Sequence, residues 1–192
     1  MLTIEQMTQN KVKFTELLTK LNIDVTPIMQ YLDSVGYFTK PATTQYFKAY
    51  DGGLCQHALD VYNELAQLCN AYYPNKYTEE DVIKVALFKD IYKAELYEKY
   101  VRNVKNEKTG AWESQPSYRT KEERPVFGDL GFSSYMVVRQ LVPLTTEQIE
   151  AICNYSLGME NGFHNRDIYT IMKDYPLVTL THMADLVASY MN

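Results

Sequence analysis

The sequence predicts a mainly helical protein with one inserted β-hairpin. Apolar residues recur at helical spacing through most of the 192 residues, and only a stretch near residues 98–120 breaks this rhythm. Hydrophobic residues make up 46% of the chain and charged residues 22%, which is typical of a globular protein that buries a core. We expect N-terminal helices within residues 1–39 to pack on a larger helical domain formed by residues 40–192.

Capping residues and apolar spacing define the helices of the N-terminal half. The first is predicted from Ile4 to about Leu21, and the second begins near Asp24 with Pro27 in its first turn, because both residue types favour helix initiation. Residues 40–53 contain a proline, two glycines and several threonines, which is typical of a structured loop. The third helix follows from one continuous apolar stripe, formed by Leu54, Ala58, Val61, Leu65 and Leu68.

The next helix carries a carboxylate on its apolar face. Thr78 is a suitable cap for it and is followed by three acidic residues. Asp90 shares the helical spacing of its apolar residues, which are Ile83, Ala86, Leu87 and Ile91. A buried carboxylate is unfavourable unless it is paired or bound to a metal, so Asp90 needs a partner.

The C-terminal half begins with the hairpin and returns to helix. Residues 106–110 end on a glycine between two strand-like runs, as expected for a hairpin turn. Further helices are predicted at residues 133–141, 145–155 and 166–173, and from about Pro176 to Tyr190. The apolar stripe of this last helix is predicted to contain Leu177, Leu180, Ala184, Val187 and Met191, with Asp185 beside it.

Composition narrows the range of functions. The net charge of −5 argues against binding to duplex nucleic acid, which normally needs a broad basic face. Neither a signal peptide nor an apolar run long enough for a membrane span is evident. Three cysteines without metal-type spacing predict reduced thiols and a cytoplasmic location. Seventeen tyrosines suit cores and interfaces alike, so a homodimer is compatible with the sequence.

Three segments resemble the metal-binding framework of HD-domain phosphohydrolases. They are Gly-Gly-Leu-Cys-Gln-His at residues 52–57, Lys-Asp-Ile-Tyr-Lys at residues 89–93, and Ala-Asp at residues 184–185. In that family, a histidine, a His-Asp pair and a late aspartate hold divalent metal. The similarity covers roughly residues 40–190 and includes the hairpin insertion. It is strongest to small HD-domain proteins of bacteria and their phages and to the HD portion of some exoribonucleases, and it implies an HD-like helical bundle.

The resemblance implies site residues, and the sequence departs from the family at several of them. His57, Asp90 and Asp185 match metal ligands, and Lys93 matches a lysine that reaches a substrate phosphate. Lys89 replaces the histidine of the central pair, and Phe47 stands where relatives often have histidine. Histidines common in the family are also missing near residues 128–131 and 154–158. A charged lysine has donors but no acceptor, so it cannot ligate a metal.

These departures favour binding without hydrolysis. We expect a degenerate domain that binds a phosphorylated small molecule, such as a nucleotide or a nucleotide second messenger, with no cofactor; sequestration of that molecule is one use of such binding. Lys89 and Lys93 would neutralise phosphate, and Phe47 and Tyr92 would pack against a base. Arg102 on the hairpin is a further candidate contact, although basic residues there usually face solvent.

Two alternatives remain open at this stage. The first is a phosphohydrolase that uses one metal held by His57, Asp90 and Asp185, with open positions for water. The second is a structural or interaction module, in which Lys89 forms a buried ion-pair network with the two aspartates.

Overall fold

The computed structural model describes residues 1–123, 129–156 and 165–191. The described part is mainly helical and contains one two-stranded antiparallel sheet, which confirms the predicted class. Its elements, in chain order, are α1 (Ile4–Thr19), α2 (Thr26–Ser34), a 3₁₀ turn (Tyr37–Thr39), α3 (Gly53–Tyr72), α4 (Glu79–Phe88), α5 (Lys93–Leu96), β1 (Tyr97–Lys105), β2 (Trp112–Thr120), α6 (Leu130–Val138), α7 (Thr146–Asn154), α8 (Asn165–Asp174) and α9 (Pro176–Tyr190).

Local capping explains where several helices begin. α4 starts at a reciprocal capping box between Thr78 and Asp81, and α9 has Pro176 in its first turn, as predicted. The Asp24 carboxylate accepts a hydrogen bond from the Thr26 N–H (2.9 Å), so it supports the start of α2 from just outside the helix. α6 begins three residues earlier than predicted, because Asp129 caps it by accepting from the Phe132 N–H (2.7 Å).

Helix α3 lies at the centre of the molecule and packs against α1, α4 and α9. Its N-terminal half joins an apolar cluster with α1, α2 and α4, and its C-terminal half joins a second cluster with α4, α7 and α9. α4 is buried on every side from Val82 to Phe88, including the amphipathic Lys84. Asp90 follows this buried helix directly, so it enters the interior as predicted.

The predicted stripe of α9 is wrong at its end. Met191 is 78% exposed and Val187 is only partly buried, whereas Ala188 is buried. The buried face follows Leu177, Leu180, Ala184 and Ala188, because α3 packs against that side of α9.

The hairpin pairs Tyr97 with Thr120 at its base and Lys105 with Trp112 at its tip, close to the predicted limits of residues 98–120. Its turn places Gly110 at φ = +72°, a left-handed conformation that glycine adopts without strain. Among the described residues, none of the helices combines the length and the apolar character that crossing a bilayer requires.

Candidate functional site: a lysine-centred ion-pair cluster

A cluster of charged side chains lies where α3, the end of α4 and α9 meet. α3 contributes His57, the turn after α4 contributes Lys89 and Asp90, and α9 contributes Asp185. Lys93 reaches the same place from the first residue of α5. The structure therefore brings together all five charged or ionisable residues that the sequence placed in the central site.

The ammonium group of Lys89 occupies the middle of this cluster. Its Nζ lies 2.5 Å from Asp90 Oδ2 and 2.5 Å from Asp185 Oδ1, and the face of the Tyr155 ring lies 4.2 Å away. The side chain is 0% exposed, so Lys89 does not reach solvent. Two carboxylates and one aromatic face thus account for the three N–H donors of the ammonium.

The Asp90 carboxylate interacts with three neighbouring side chains. Its Oδ1 atom accepts a hydrogen bond from the Tyr155 hydroxyl (2.7 Å) and forms an ion pair with Lys93 Nζ (2.9 Å), while Oδ2 accepts from Lys89. Burial acts to raise the pKa of this carboxyl, but the ammonium groups of Lys89 and Lys93 outweigh it and hold the pKa well below its usual range. Asp90 is therefore a fully partnered carboxylate, which is the condition for burying one.

His57 is oriented by Asp185. Its Nε2 atom lies 2.9 Å from Asp185 Oδ1, and because a carboxylate oxygen can only accept, Nε2 carries the proton and donates. The 3.5 Å approach of Lys89 Nζ to the same nitrogen is then a contact between two donors and not a hydrogen bond. The other ring nitrogen, Nδ1, is buried without a hydrogen-bond partner among the described residues. The Phe47 ring covers the imidazole, with centroids 4.9 Å apart.

Asp185 is the member of the cluster nearest to solvent, with 20% of its side chain exposed. Burial acts to raise its pKa, but Lys89 and His57 outweigh this effect and lower it below its usual range. The ammonium groups of Lys89 and Lys93 match the charges of the two carboxylates.

The possible ligand atoms of the cluster are spaced closely enough to bind a metal ion, but the group between them is the ammonium of Lys89. One ligand atom from each of His57, Asp90 and Asp185 lies within 4.8 Å of the others. The Lys89 ammonium lies among these atoms, and an ammonium has no lone pair with which to ligate a cation. The residues present therefore do not fit a divalent ion while Lys89 holds this position.

The remaining predicted site residues lie in different surroundings. Phe47 is at the rim, where its ring also packs edge-on against Tyr190 (5.8 Å). Tyr92 is 2% exposed and lies in the interior, so its ring is not accessible for stacking on a base. Arg102 is exposed on β1, and no contact joins it to the cluster among the described residues. The expected roles of Tyr92 and Arg102 as ligand contacts therefore find no support in their positions.

The positions where family histidines were expected have other partners. Asp129 caps α6, and the Asn154 amide donates to Glu150 Oε2 (2.8 Å). Gly128 and residues 157–158 lie outside the described residues.

Two contributors were missed by the sequence analysis. Tyr155 closes the cluster above Lys89, and its backbone carbonyl is 2.8 Å from His182 Nδ1. Lys48 adopts φ = +45°, pairs with Asp60 (3.1 Å) and donates to the Ala188 carbonyl (2.6 Å). It thereby fixes the loop that holds Phe47 over His57. Positive φ is rare for lysine and leaves no periodic signal in a sequence, so only the tertiary structure shows this role.

No family model matches the chain, and comparisons with curated proteins and with solved structures give no significant match. The similarity to HD-domain phosphohydrolases therefore stays a prediction from the motifs.

Proposed function

We propose that this chain is a non-catalytic, HD-like domain in which the ammonium group of Lys89 takes the place of the metal ion. The observation that carries the proposal is the position of Lys89 Nζ, 2.5 Å from both Asp90 and Asp185 and enclosed by Tyr155. A covalently attached cation thus interacts with the carboxylates that match the metal ligands of the family.

This replacement keeps the electrostatic role of a metal and removes its chemical role. A divalent ion polarises a phosphoryl oxygen and lowers the pKa of a bound water, which produces the hydroxide for hydrolysis. An ammonium group neutralises carboxylates but offers no coordination position for water or substrate. The domain therefore acts through what it binds, and not through turnover.

A second candidate function, binding of a phosphorylated small molecule, is supported by Lys93. Among the described residues its ammonium makes one ion pair, to Asp90, and it lies 5.8 Å from the centroid of Phe47. Lys93 keeps donors that do not face Asp90, but only 7% of its side chain is exposed, so a phosphate would have to displace part of its surroundings to reach them beside the Phe47 ring. The donors of Lys89 are already used. Because both ammonium groups already pair with carboxylates, we expect weak binding that depends on Lys93 and not on Lys89.

The first experiment asks whether Lys89 excludes metal. Wild-type protein, Lys89→His and the control Lys84→His are titrated with Mn²⁺, Ni²⁺ and Zn²⁺ by calorimetry, and phosphodiesterase activity is measured with bis(p-nitrophenyl) phosphate. Lys84 is a suitable control because it is also buried on α4 but pairs with Glu80 and the Pro143 carbonyl, away from the cluster. We expect stoichiometric metal binding only in Lys89→His. Stoichiometric metal in the wild type, or metal-dependent hydrolysis by it, would refute the proposal.

The second experiment tests the ligand. Native mass spectrometry of the purified protein, compared with its denatured mass, detects any retained nucleotide, and titration with ATP and cyclic AMP measures weak binding. Lys93→Ala should weaken binding by about tenfold, the loss of one charged hydrogen bond. Equal affinity in the wild type and Lys93→Ala would exclude this candidate, while the metal experiment would still decide the first proposal.

A further inference from the structure

The two strands of the hairpin have defined inner and outer edges. The Asn106 N–H donates to the Ala111 carbonyl (2.8 Å), and the Lys121 N–H donates to the Leu96 carbonyl (2.9 Å). Hydrogen-bonded and non-hydrogen-bonded pairs alternate along an antiparallel ladder. Counting along the ladder from either of these two hydrogen-bonded pairs makes Val101 and Pro116 a non-hydrogen-bonded pair. Their backbone N–H and C=O groups, where present, therefore point away from the partner strand.

The outer edges of β1 and β2 differ in their capacity to pair. On β2, Pro116 has no N–H to donate, so this edge cannot continue a ladder. On β1, Lys99, Val101 and Asn103 turn their backbone N–H and C=O groups outward, and these groups have no hydrogen-bond partner within the described residues. Lys40 Nζ caps the Tyr97 carbonyl (2.9 Å), which closes the edge only at its base.

The open edge of β1 is accessible and partly apolar. Lys99, Val101 and Asn103 are all exposed, and Val101 is 67% exposed. An unpaired edge of this kind is a template for another strand, and an isolated two-stranded ribbon is only marginally stable in water. Other soluble proteins commonly protect such edges, whereas here only the β2 edge carries a blocking proline.

We propose that this edge pairs with the same edge of a second copy of the chain, antiparallel about a twofold axis through Val101. In that register Val101 faces its own copy, Lys99 faces Asn103, and Tyr100 faces Arg102. No pair places like charges opposite each other, and Tyr100 and Arg102 form a favourable cation–aromatic contact. Shifting the axis to Lys99 would place two lysines face to face, which disfavours that register.

The pairing also completes an apolar row across the resulting four-stranded sheet. Pro116 and Val101 are neighbours in the hairpin, so the twofold axis places Pro116, Val101, Val101 and Pro116 side by side. The contact is isologous, because the same patch is used by both copies. A single strand edge buries less than the roughly 1,200 Å² of a standard interface, so we expect a dimer with micromolar affinity.

Sedimentation velocity of the full chain, from low micromolar to several hundred micromolar, measures this dimer directly. Val101→Pro removes an outward N–H without losing a bond inside the hairpin, and Ser114→Pro makes the same change on the β2 edge as a matched control. We expect dimerisation by the wild type and Ser114→Pro, and at least about a tenfold weaker association for Val101→Pro. Fluorescence of Trp112, the single tryptophan, checks that the hairpin remains folded.

A charge-pairing experiment tests the position of the axis. Val101→Lys and Val101→Glu each place like charges across the axis, so each variant alone should be monomeric. Mixing the two places opposite charges there, and a heterodimer should form. A monomeric wild type at every concentration, or a dimer that neither Val101→Pro nor the charge variants weaken, overturns the proposal.

Discussion

Replacing Lys89 by methionine tests whether the cluster depends on its central cation. Methionine retains most of the side-chain volume but leaves Asp90 and Asp185 facing each other without the ammonium between them. Removing one partner of a buried ion pair typically costs about 3–5 kcal/mol, because the remaining charge is uncompensated. For a domain of this size, the same loss corresponds to a fall in Tm of about 6–20 °C. An ordinary domain is stable by only about 5–15 kcal/mol, so a loss of this size would remove at least about a fifth of the total.

Urea unfolding at pH 7, followed by circular dichroism, measures this loss, with Lys84→Met as the control for removing a buried lysine. We expect the larger loss in Lys89→Met, since Lys84 pairs with the exposed Glu80 and one carbonyl. Asp185→Asn should destabilise the wild type but restore stability in the Lys89→Met background, because there it removes a carboxylate that has lost its ammonium partner and keeps only the hydrogen bond from His57. A Lys89→Met variant no less stable than Lys84→Met, or an Asp185→Asn effect of the same sign in both backgrounds, would refute the reasoning.

Three further results are expected. The pKa values of Asp90 and Asp185 are lowered in the folded state, so both carboxylates contribute to the free energy of unfolding. This contribution is complete above pH about 4. It is lost as the pH falls below that value, by up to about 1.4 kcal/mol per pH unit for each carboxyl. Asp185→Asn should reduce this slope in urea unfolding below pH 4, and an unchanged slope would contradict it. A Cβ on Gly53 would collide with the Lys48 carbonyl, whereas one on Gly110 meets nothing within 4 Å. Gly110→Ala should lower the free energy of unfolding by roughly 1–2 kcal/mol, the strain of a left-handed alanine. Gly53→Ala should lower it by more, and equal losses in thermal melts would exclude a collision with the Lys48 carbonyl as the cause. Burial raises the pKa of each of the three cysteine thiols to about 12, so Ellman's reagent at pH 8 should react with them only after denaturation; a fast thiol in the native protein would disprove this.

Local and periodic features of the fold were predictable from the sequence. The caps at Thr78 and Pro176 act within one helical turn, so composition and spacing are enough to place them. Asp90 was predicted to be buried because it shares the phase of the apolar residues of α4, and the prediction is confirmed. Pairing of Lys89 with the aspartates was one of the alternatives, and Lys89 contacts both of them, whereas Lys93, which was expected to contact a phosphate, pairs with Asp90.

Features that depend on distant chain segments were not predictable in the same way. Tyr155 meets Asp90 across 65 positions of sequence, and Lys48 meets the Ala188 carbonyl across 140 positions. Neither residue has a spacing that marks its role. Tyr92 shows the converse problem, since its ring was expected to pack against a base, but the turn after α4 directs it into the interior. Helical phase predicts which residues are buried and not which of them face each other.

In the HD-like domain proposed above, charge balance would explain how a lysine could stand in for a metal ion. A divalent ion among His57, Asp90 and Asp185 would contribute two positive charges and neutralise the two carboxylates. Lys89 and Lys93 contribute one positive charge each to the same carboxylates, so the same balance is reached without an ion. An ion dissociates and leaves the carboxylates unpaired when its concentration falls, whereas these ammonium groups are part of the chain. If the proposal above is right, the lysine makes the centre independent of metal supply and removes the coordination positions on which hydrolysis would depend.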